Sequence, residues 1–120
     1  YFYGGAGNES ITGGADADFI DGGEGVDNLL GGGGDDVIYG DFGVADSLSG
    51  NDVLNGQAGN DTLDGGFGAD RVIGGAGFDI VSGGETGTIE TAADTLTGGA
   101  DADLFQIASS GYVLDPSEFP

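Results

Sequence analysis

The chain has 120 residues, including 29 glycines, 22 acidic residues and a single basic residue, Arg71. The absence of Cys and His excludes disulfide-stapled folds and argues against zinc, copper and iron–sulfur sites. A net charge of −21 should repel nucleic acid and anionic membranes, so we expect no nucleic-acid partner. No segment is long and apolar enough to predict a membrane span.

From residue 4 onward, the chain repeats the nine-residue pattern Gly-Gly-x-Gly-x-Asp-x-apolar-x. Ten units begin at Gly4, Gly13, Gly22, Gly31, Gly40, Gly56, Gly65, Gly74, Gly83 and Gly98. Eight units have nine residues, whereas the units from Gly40 and Gly83 have 16 and 15. We therefore predict lateral loops near 43–49 and 86–91.

Two columns of the repeat stay in phase over all ten units. Position six is acidic throughout: Glu9, Asp18, Asp27, Asp36, Asp52, Asp61, Asp70, Asp79, Asp94 and Asp103. Position eight is apolar throughout: Ile11, Ile20, Leu29, Ile38, Leu54, Leu63, Val72, Val81, Leu96 and Phe105. The composition alone would permit a disordered glycine-rich linker, but a linker has no reason to keep this phase.

Each unit can form a turn followed by a short strand. Glycine adopts the positive φ angles of tight turns at little cost, so six residues can turn and the last three extend. Because side chains alternate along a strand, position eight then points inward while positions seven and nine point outward. Two units make an 18-residue coil with one strand on each side, which predicts an all-β fold.

This core is too thin to stabilise the chain alone. One aliphatic residue per unit cannot offset an ordering cost of about 1–2 kcal/mol per residue. The position-six carboxylates also lie close together from coil to coil, and Arg71 cannot neutralise them. Metal ions can. Carboxylate and carbonyl oxygens on flexible turns favour Ca²⁺, whereas Mg²⁺ demands tighter octahedral geometry.

The stretch Gly22-Gly23-Glu24-Gly25-Val26-Asp27-Asn28-Leu29-Leu30, followed by another unit at 31–39, resembles the RTX (repeats-in-toxin) nonapeptide family of haemolysin-type and serralysin-like proteins. The resemblance implies a parallel β-roll, a right-handed β-solenoid with two short strands per coil, over residues 1–106. It leaves 107–120 as a capping or linker segment. It also implies about eight Ca²⁺ ions held between turns n and n+2 on one side.

In that family, turn n supplies the carbonyls of positions two and four plus its Asp. Turn n+2 supplies the carbonyls of positions one and three plus its Asp. Carried over, the implied metal ligands are Glu9, Gly14, Asp16, Asp18, Gly23, Gly25, Asp27, Gly31, Gly33, Asp36, Asp52, Gly59, Asp61, Gly66, Gly68, Asp70, Gly74, Ala76, Asp79, Asp94 and Asp103.

Several turns depart from this pattern. Glu9 replaces Asp with a longer arm, and Gln57 replaces the position-two glycine while keeping its carbonyl. Asp16 and Asp101 replace the position-four glycine, and Asp tolerates the left-handed region better than most residues.

Two further patterns in the turns leave alternatives open. Asp46 could fill the metal position of its long unit, but the sequence around Asp52 matches that around Asp61, which favours Asp52. Asn8 and Asn60 lie in glycosylation sequons, but both overlap the metal turn, which favours a turn role.

The resemblance implies a module of bacterial proteins that are secreted before they fold. We therefore expect a calcium-binding structural module at an extracellular or cell-surface location, unfolded at low cytosolic Ca²⁺. We expect no enzymatic activity, because the metal column accounts for nearly every well-placed acid and His, Cys and Lys are absent.

The alternative function is a self-assembling filament, surface-layer or adhesin building block. Solenoid ends expose unpaired strands, which can stack on another copy. Residues 1–3 match positions seven to nine of an earlier unit, which indicates an excised piece of a longer chain or an open end.

Overall fold

The computed structural model describes residues 1–44, 48–84, 94–107 and 111–114. Its twelve strands are β1 Phe2–Ala6, β2 Ser10–Gly14, β3 Phe19–Glu24, β4 Asn28–Gly33, β5 Val37–Tyr39, β6 Val53–Ala58, β7 Thr62–Asp64, β8 Arg71–Ala76, β9 Ile80–Ser82, β10 Thr95–Ala100, β11 Leu104–Ile107 and β12 Gly111–Leu114. In these ranges, no helix is long and apolar enough to cross a membrane.

From β1 to β11, consecutive strands alternate between two open sheets. The seven-stranded sheet has the order β1-β3-β5-β7-β9-β11-β12, and the five-stranded sheet has the order β10-β8-β6-β4-β2. The neighbours within each sheet run parallel, except β12, which pairs antiparallel with β11. Two strands therefore belong to each coil, which confirms the predicted parallel β-roll.

The long units do not disturb the register. Leu29 pairs with Leu54 across the unit from Gly40, and Val72 pairs with Leu96 across the unit from Gly83. Position eight thus stays opposite position eight on both sides of each long unit. The loop predicted near 43–49 lies partly outside the described residues, and the loop near 86–91 lies wholly outside them.

The core is a double column of position-eight side chains between the sheets. Seven of them are fully buried: Ile20, Leu29, Ile38, Leu54, Leu63, Val72 and Val81. Ile11, Leu96 and Phe105 are partly buried and pack against this column. The inward column predicted from the sequence is therefore present at all ten units, with its less buried members near the two ends.

Aromatic side chains form a row on the outer side of the seven-stranded sheet. Tyr1 stacks on Phe19 with ring centroids 5.2 Å apart. Tyr39 follows at 5.6 Å from Phe19, and Phe42 lies 4.9 Å from Tyr39. The row covers part of the sheet but leaves Tyr1 and Phe42 largely exposed.

The two ends of the seven-stranded sheet differ, because only the first continues the parallel repeat geometry. Phe2 pairs with Ile20, so Phe2 stands at position eight of a preceding unit. At the other end, Phe105 pairs with Val113 across the antiparallel β11–β12 pair. The division into residues 1–106 and 107–120 stays a prediction.

Candidate metal sites in the turns

Position-six carboxylates form a hydrogen-bonded ladder along each edge of the roll. In each pair, the backbone N–H of one position-six residue donates to Oδ1 of the position-six Asp in the next coil, with N···O distances of 2.8–2.9 Å. On the first edge, the ladder joins Glu9, Asp27, Asp52, Asp70 and Asp94. On the second edge, it joins Asp18, Asp36, Asp61, Asp79 and Asp103. One carboxylate oxygen therefore fixes the stacking of the turns.

The second oxygen of these carboxylates points into the protein. Among the described residues, the following buried atoms have no hydrogen-bond partner: Glu9 Oε2 and the Oδ2 atoms of Asp27, Asp36, Asp52, Asp61, Asp70 and Asp79. The six Asp residues are at most 2 % exposed. Burying an unpaired carboxylate oxygen destabilises the folded state, and a bound cation would offset this cost.

Burial also raises the pKa of these carboxyl groups. Burial raises the pKa of Asp70 to about 8, while the hydrogen bond from Asp52 N–H lowers it and nearby Asp52 and Asp94 raise it. Burial likewise raises the pKa of Asp52 and of Asp79 to about 6. Without a cation, the stacked carboxylates therefore hold protons more tightly than in water.

Main-chain carbonyls of the glycine turns line the same gaps. Gly23 and Gly25 have φ angles of +99° and +121°. A Cβ atom added at either glycine would collide with the carbonyl oxygen of Gly5 or Gly7, respectively. The carbonyls at positions two and four of one turn therefore point at the next turn on that edge, and only glycine permits this approach.

The gap between the turns of Asp61 and Asp79, one of the sites implied by the resemblance, has this arrangement on the second edge. The carbonyl oxygen of Gln57 faces Gly75, and that of Gly59 faces Gly77. A Cβ atom added to Gly56 would lie 2.7 Å from the carbonyl oxygen of Gly74 and would also collide with Asp61 Oδ2. Carbonyl and carboxylate oxygens from consecutive turns therefore border one gap, and that is the hard oxygen donor set that suits Ca²⁺.

The profile of the RTX calcium-binding nonapeptide repeat matches the sequence in four copies, at residues 3–38, 21–44, 46–85 and 90–106. The chain belongs to this family. Its Ca²⁺-binding β-roll repeats form a structural module, and calcium ions are its expected partners. Neither the search of curated proteins nor the search of solved structures found a match.

The RTX ligand scheme relies on carbonyls as well as on carboxylates. Within the described ranges, no group of three or more acidic side chains converges closely enough to hold a metal ion. The acids are instead spread one per turn along each edge, so the turn carbonyls would have to complete any site.

The remaining implied ligands of this RTX chain lie along the same two edges. Gly14 O faces Gly32, Gly31 O faces Gly13, and Gly66 O faces Gly84. The acidic oxygens Asp18 Oδ2, Asp70 Oδ2, Asp94 Oδ2 and Asp103 Oδ2 each lie against the first glycine of their own unit. Two of the implied ligands stand at position three. The carbonyl oxygen of Ala76 accepts a 2.9 Å hydrogen bond from Gly59 N. A Cβ atom added to Gly33 would lie 3.6 Å from the carbonyl oxygen of Ala15.

The substituted turn positions behave differently from one another. Gln57 and Asp101 both adopt the left-handed region, with φ angles of 76°. Asp16 does not, and neither does Gly14 in the same turn. This turn therefore has another conformation, although the Asp16 carbonyl oxygen still lies 2.9 Å from the position of a Cβ on Gly34.

The structure places Asp52 in the ladder of its long unit. Asp52 Oδ1 accepts from Asp27 N, and Asp52 N donates to Asp70 Oδ1. Gly50 stands at position four, because its carbonyl oxygen faces Gly68. Asp46 lies outside the described residues.

The structure contains a second ladder of hydrogen bonds, at position five, which the sequence did not predict. Asn8, Asp35, Asn51 and Asn60 each accept, through Oδ1, a hydrogen bond of 2.9–3.0 Å from the position-five N–H of the next coil. This ladder runs in the opposite direction to the position-six ladder. The recurrence of Asn or Asp directly before the metal-column acid was the available signal, and for Asn8 and Asn60 it supports the turn role over a glycosylation site.

Proposed function

We propose that this RTX chain is a calcium-switched structural module of a secreted bacterial protein, at an extracellular or cell-surface location. It is unfolded without Ca²⁺ and forms the β-roll at extracellular Ca²⁺ concentrations. The observation that carries the proposal is that the two oxygens of the position-six carboxylates have different surroundings. In Asp27, Asp36, Asp52, Asp61, Asp70 and Asp79, Oδ1 accepts a hydrogen bond from the neighbouring coil, while Oδ2 is buried without a partner among the described residues.

The proposed ligands are the position-six acids and the turn carbonyls implied by the family scheme. About eight ions would offset about 16 of the 21 net negative charges. Bound calcium supplies positive charge and joins consecutive turns. The residues themselves hold the coil spacing through Oδ1 and present Oδ2 and the carbonyls to the gap.

Folding without calcium is unfavourable on two counts. Each unit orders about nine residues at about 1–2 kcal/mol each, against about 1.5–3 kcal/mol for one buried aliphatic side chain. The buried carboxylates repel one another, and Arg71, the sole basic residue, is exposed. Because the ligand oxygens come together only in the folded chain, binding free energy becomes folding free energy.

A titration of the metal-free chain with Ca²⁺, followed by far-UV circular dichroism, tests this proposal. We expect a cooperative coil-to-β transition at about 10⁻⁴–10⁻³ M Ca²⁺ and none with Mg²⁺ at the same concentrations. A complete β-signal in chelator would contradict the switch.

The second candidate function is self-assembly into a filament or surface layer, and strand edges are the observation that favours it. β12 covers one end of the seven-stranded sheet, but β1, β2 and β10 each stand at the end of a sheet order. Unpaired edges of this kind can accept a strand from another copy. Light scattering with and without Ca²⁺ distinguishes the two functions, since a module stays monomeric and a filament grows with concentration.

A further inference from the structure

Asp41 stands at position two of the unit from Gly40, where most other units carry glycine. Its side chain is only 7 % exposed. Both carboxylate oxygens are buried and have no hydrogen-bond partner among the described residues. In Asp27, Asp52 and Asp70, the position-six acids on the same edge, Oδ1 already accepts a ladder hydrogen bond. Both carboxylate oxygens of Asp41 are thus available to bind a cation.

The main-chain carbonyl of Asp41 is turned toward the loop. Its oxygen accepts a 3.3 Å hydrogen bond from Val44 N at the start of the long insertion. A carbonyl used in this way differs from the position-two carbonyls of the other turns, which face the next turn. The insertion therefore diverts one of the implied calcium ligands.

The side chain of Asp41 faces the next turn, where the other turns place their position-two carbonyl oxygen. At Gly23 and Gly84, an added Cβ would first meet the position-two carbonyl oxygen of the preceding turn on the same edge. At Gly66, it would instead meet the Asp41 side chain, with Cβ at 2.7 Å and Oδ2 at 3.0 Å. The carboxylate has taken the place of the carbonyl.

Other oxygens border the same gap. Asp52 Oδ2 and the Gly65 carbonyl oxygen both lie against Gly40, and the Gly50 carbonyl oxygen faces Gly68. Asp52 and Asp27 are the acids whose charges act most directly on Asp41, and Asp41 in turn acts on Asp70. The N–H groups of Phe67 and Gly50 partly balance this charge, but neither reaches hydrogen-bond geometry with the carboxylate.

We propose that Asp41 is an additional calcium ligand, which replaces the position-two carbonyl between the turns of Asp52 and Asp70. This inference rests on the proposed function. A carboxylate then stands where the family scheme has a neutral carbonyl, so the site gains one negative charge. Turn carbonyls still have to complete it, because no three acidic side chains of the described residues converge on one point. Since calcium affinity rises with the number of charged ligands, this site should bind more tightly than its neighbours. The insertion would thus mark the strongest site and not a defect in the roll.

Three single variants, compared with the wild-type chain, test the inference. Asp41→Asn keeps the shape but removes the charge, and Asp41→Ala removes the side-chain ligand. Glu24→Gln is the matched control, because it makes the same charge change on the same edge at a half-buried side chain with no orphaned oxygen described. Isothermal titration calorimetry with Ca²⁺ counts the ions and resolves the tightest class of site.

In Asp41→Asn, we expect the tightest site to weaken about tenfold. Asp41→Ala should lose one ion per chain, and Glu24→Gln should match the wild type. A buried Asp41 that merely carries a proton would leave Asp41→Asn with the wild-type ion count and affinity, and this result would overturn the inference even if Asp41→Ala failed to fold. If the wild-type chain itself bound no Ca²⁺, the proposed function would fail instead.

Discussion

The two oxygens of Asp61 have different surroundings, and the proposed function gives them separate tasks, one structural and one in metal binding. Its Oδ1 accepts the backbone N–H of Asp36 at 2.8 Å, while Oδ2 is buried and unpartnered among the described residues. A hydrogen bond to a charged group contributes about 1.5–3 kcal/mol, so Oδ1 matters even without a metal. Substitutions at this residue can therefore separate the structural task from metal binding.

Asp61→Asn should keep the first task and lose most of the second. The amide oxygen can still accept from Asp36, but the charge and one ligand oxygen are gone. We expect the Ca²⁺ midpoint of folding to rise severalfold, with the β-signal recovered at saturating Ca²⁺. Asp61→Ala should cost about 1–3 kcal/mol more, because Asp36 N–H then loses its acceptor. Circular dichroism over a Ca²⁺ series measures both variants.

Asp35→Asn is the control for this pair. Asp35 is exposed on the same edge, and its Oδ1 accepts from Asn60 N, which an amide oxygen can also do. The same charge is removed without touching the position-six column. An equal rise in the midpoint for Asp35→Asn and Asp61→Asn would show that only total charge matters, and the assignment of Asp61 as a ligand would be wrong.

Turns of this roll approach each other so closely that a single methyl group decides whether coils can stack. Gly5 and Gly23 occupy the same turn position, with φ angles of 110° and 99°. A Cβ on Gly5 would meet nothing within 4 Å, whereas a Cβ on Gly23 would collide with the Gly5 carbonyl oxygen. Both changes carry the left-handed strain of about 1–2 kcal/mol, but only the second separates two coils.

We therefore expect Gly23→Ala to destabilise the calcium-loaded roll by several kcal/mol more than Gly5→Ala. It should also weaken calcium binding, since it displaces a carbonyl of the proposed site. Thermal unfolding at a fixed, saturating Ca²⁺ concentration gives the comparison. Equal melting temperatures for the two variants would mean that backbone strain, and not coil contact, explains the glycine column.

The position-five ladder makes a smaller and separable contribution. Asn60 accepts from Phe78 N and donates its own N–H to Asp35, so it joins three coils. Asn60→Ala removes the acceptor for Phe78 and should cost about 0.5–1.5 kcal/mol, lowering the melting temperature by several degrees. The ion count from calorimetry should not change. Loss of an ion would place Asn60 in the metal site and contradict this division.

The sequence predicted the elements well because glycine, acid and aliphatic columns each reflect one physical constraint. Position eight had to be buried, and Leu54 and Val72 are; position six had to stack, and Asp52 keeps its place beyond the insertion. The unusual turns could not be predicted in this way. The proposed role of Asp41 depends on where its carbonyl points, and the repeat pattern carries no information about a backbone diverted by an inserted loop.

At the scale of the whole molecule, the fold concentrates negative charge that the extended chain would keep apart. In solution, Asp has an ordinary pKa of 3.8. In the roll, burial raises the pKa of Asp52 and Asp79 to about 6 and that of Asp41 and Asp70 to about 8. The folded state therefore binds protons that the unfolded state releases, and on the proposed function protons and calcium compete for the same carboxylates.

The sign of the pH dependence follows from these shifts. Because each folded pKa is raised, its contribution to stability is fully present below pH 3.8 and is lost as pH rises through about 6 and then about 8. Lowering the pH from 8 to 5 should therefore increase the β-signal of the metal-free chain. With calcium, the same change should raise the Ca²⁺ midpoint, since the ligands must lose their protons to bind.

These opposite responses form the last prediction, and circular dichroism with and without Ca²⁺ from pH 8 to pH 5 measures both. Asp70→Asn is the informative variant, because it removes a group whose pKa is raised to about 8. It should reduce the metal-free response at the upper end of this range, where Asp41 still titrates, while leaving the response near pH 6, where Asp52 and Asp79 titrate. A metal-free chain that lost β-signal on acidification would mean that the carboxylates are not stacked as described, because stacked and buried acids can only gain stability from protons.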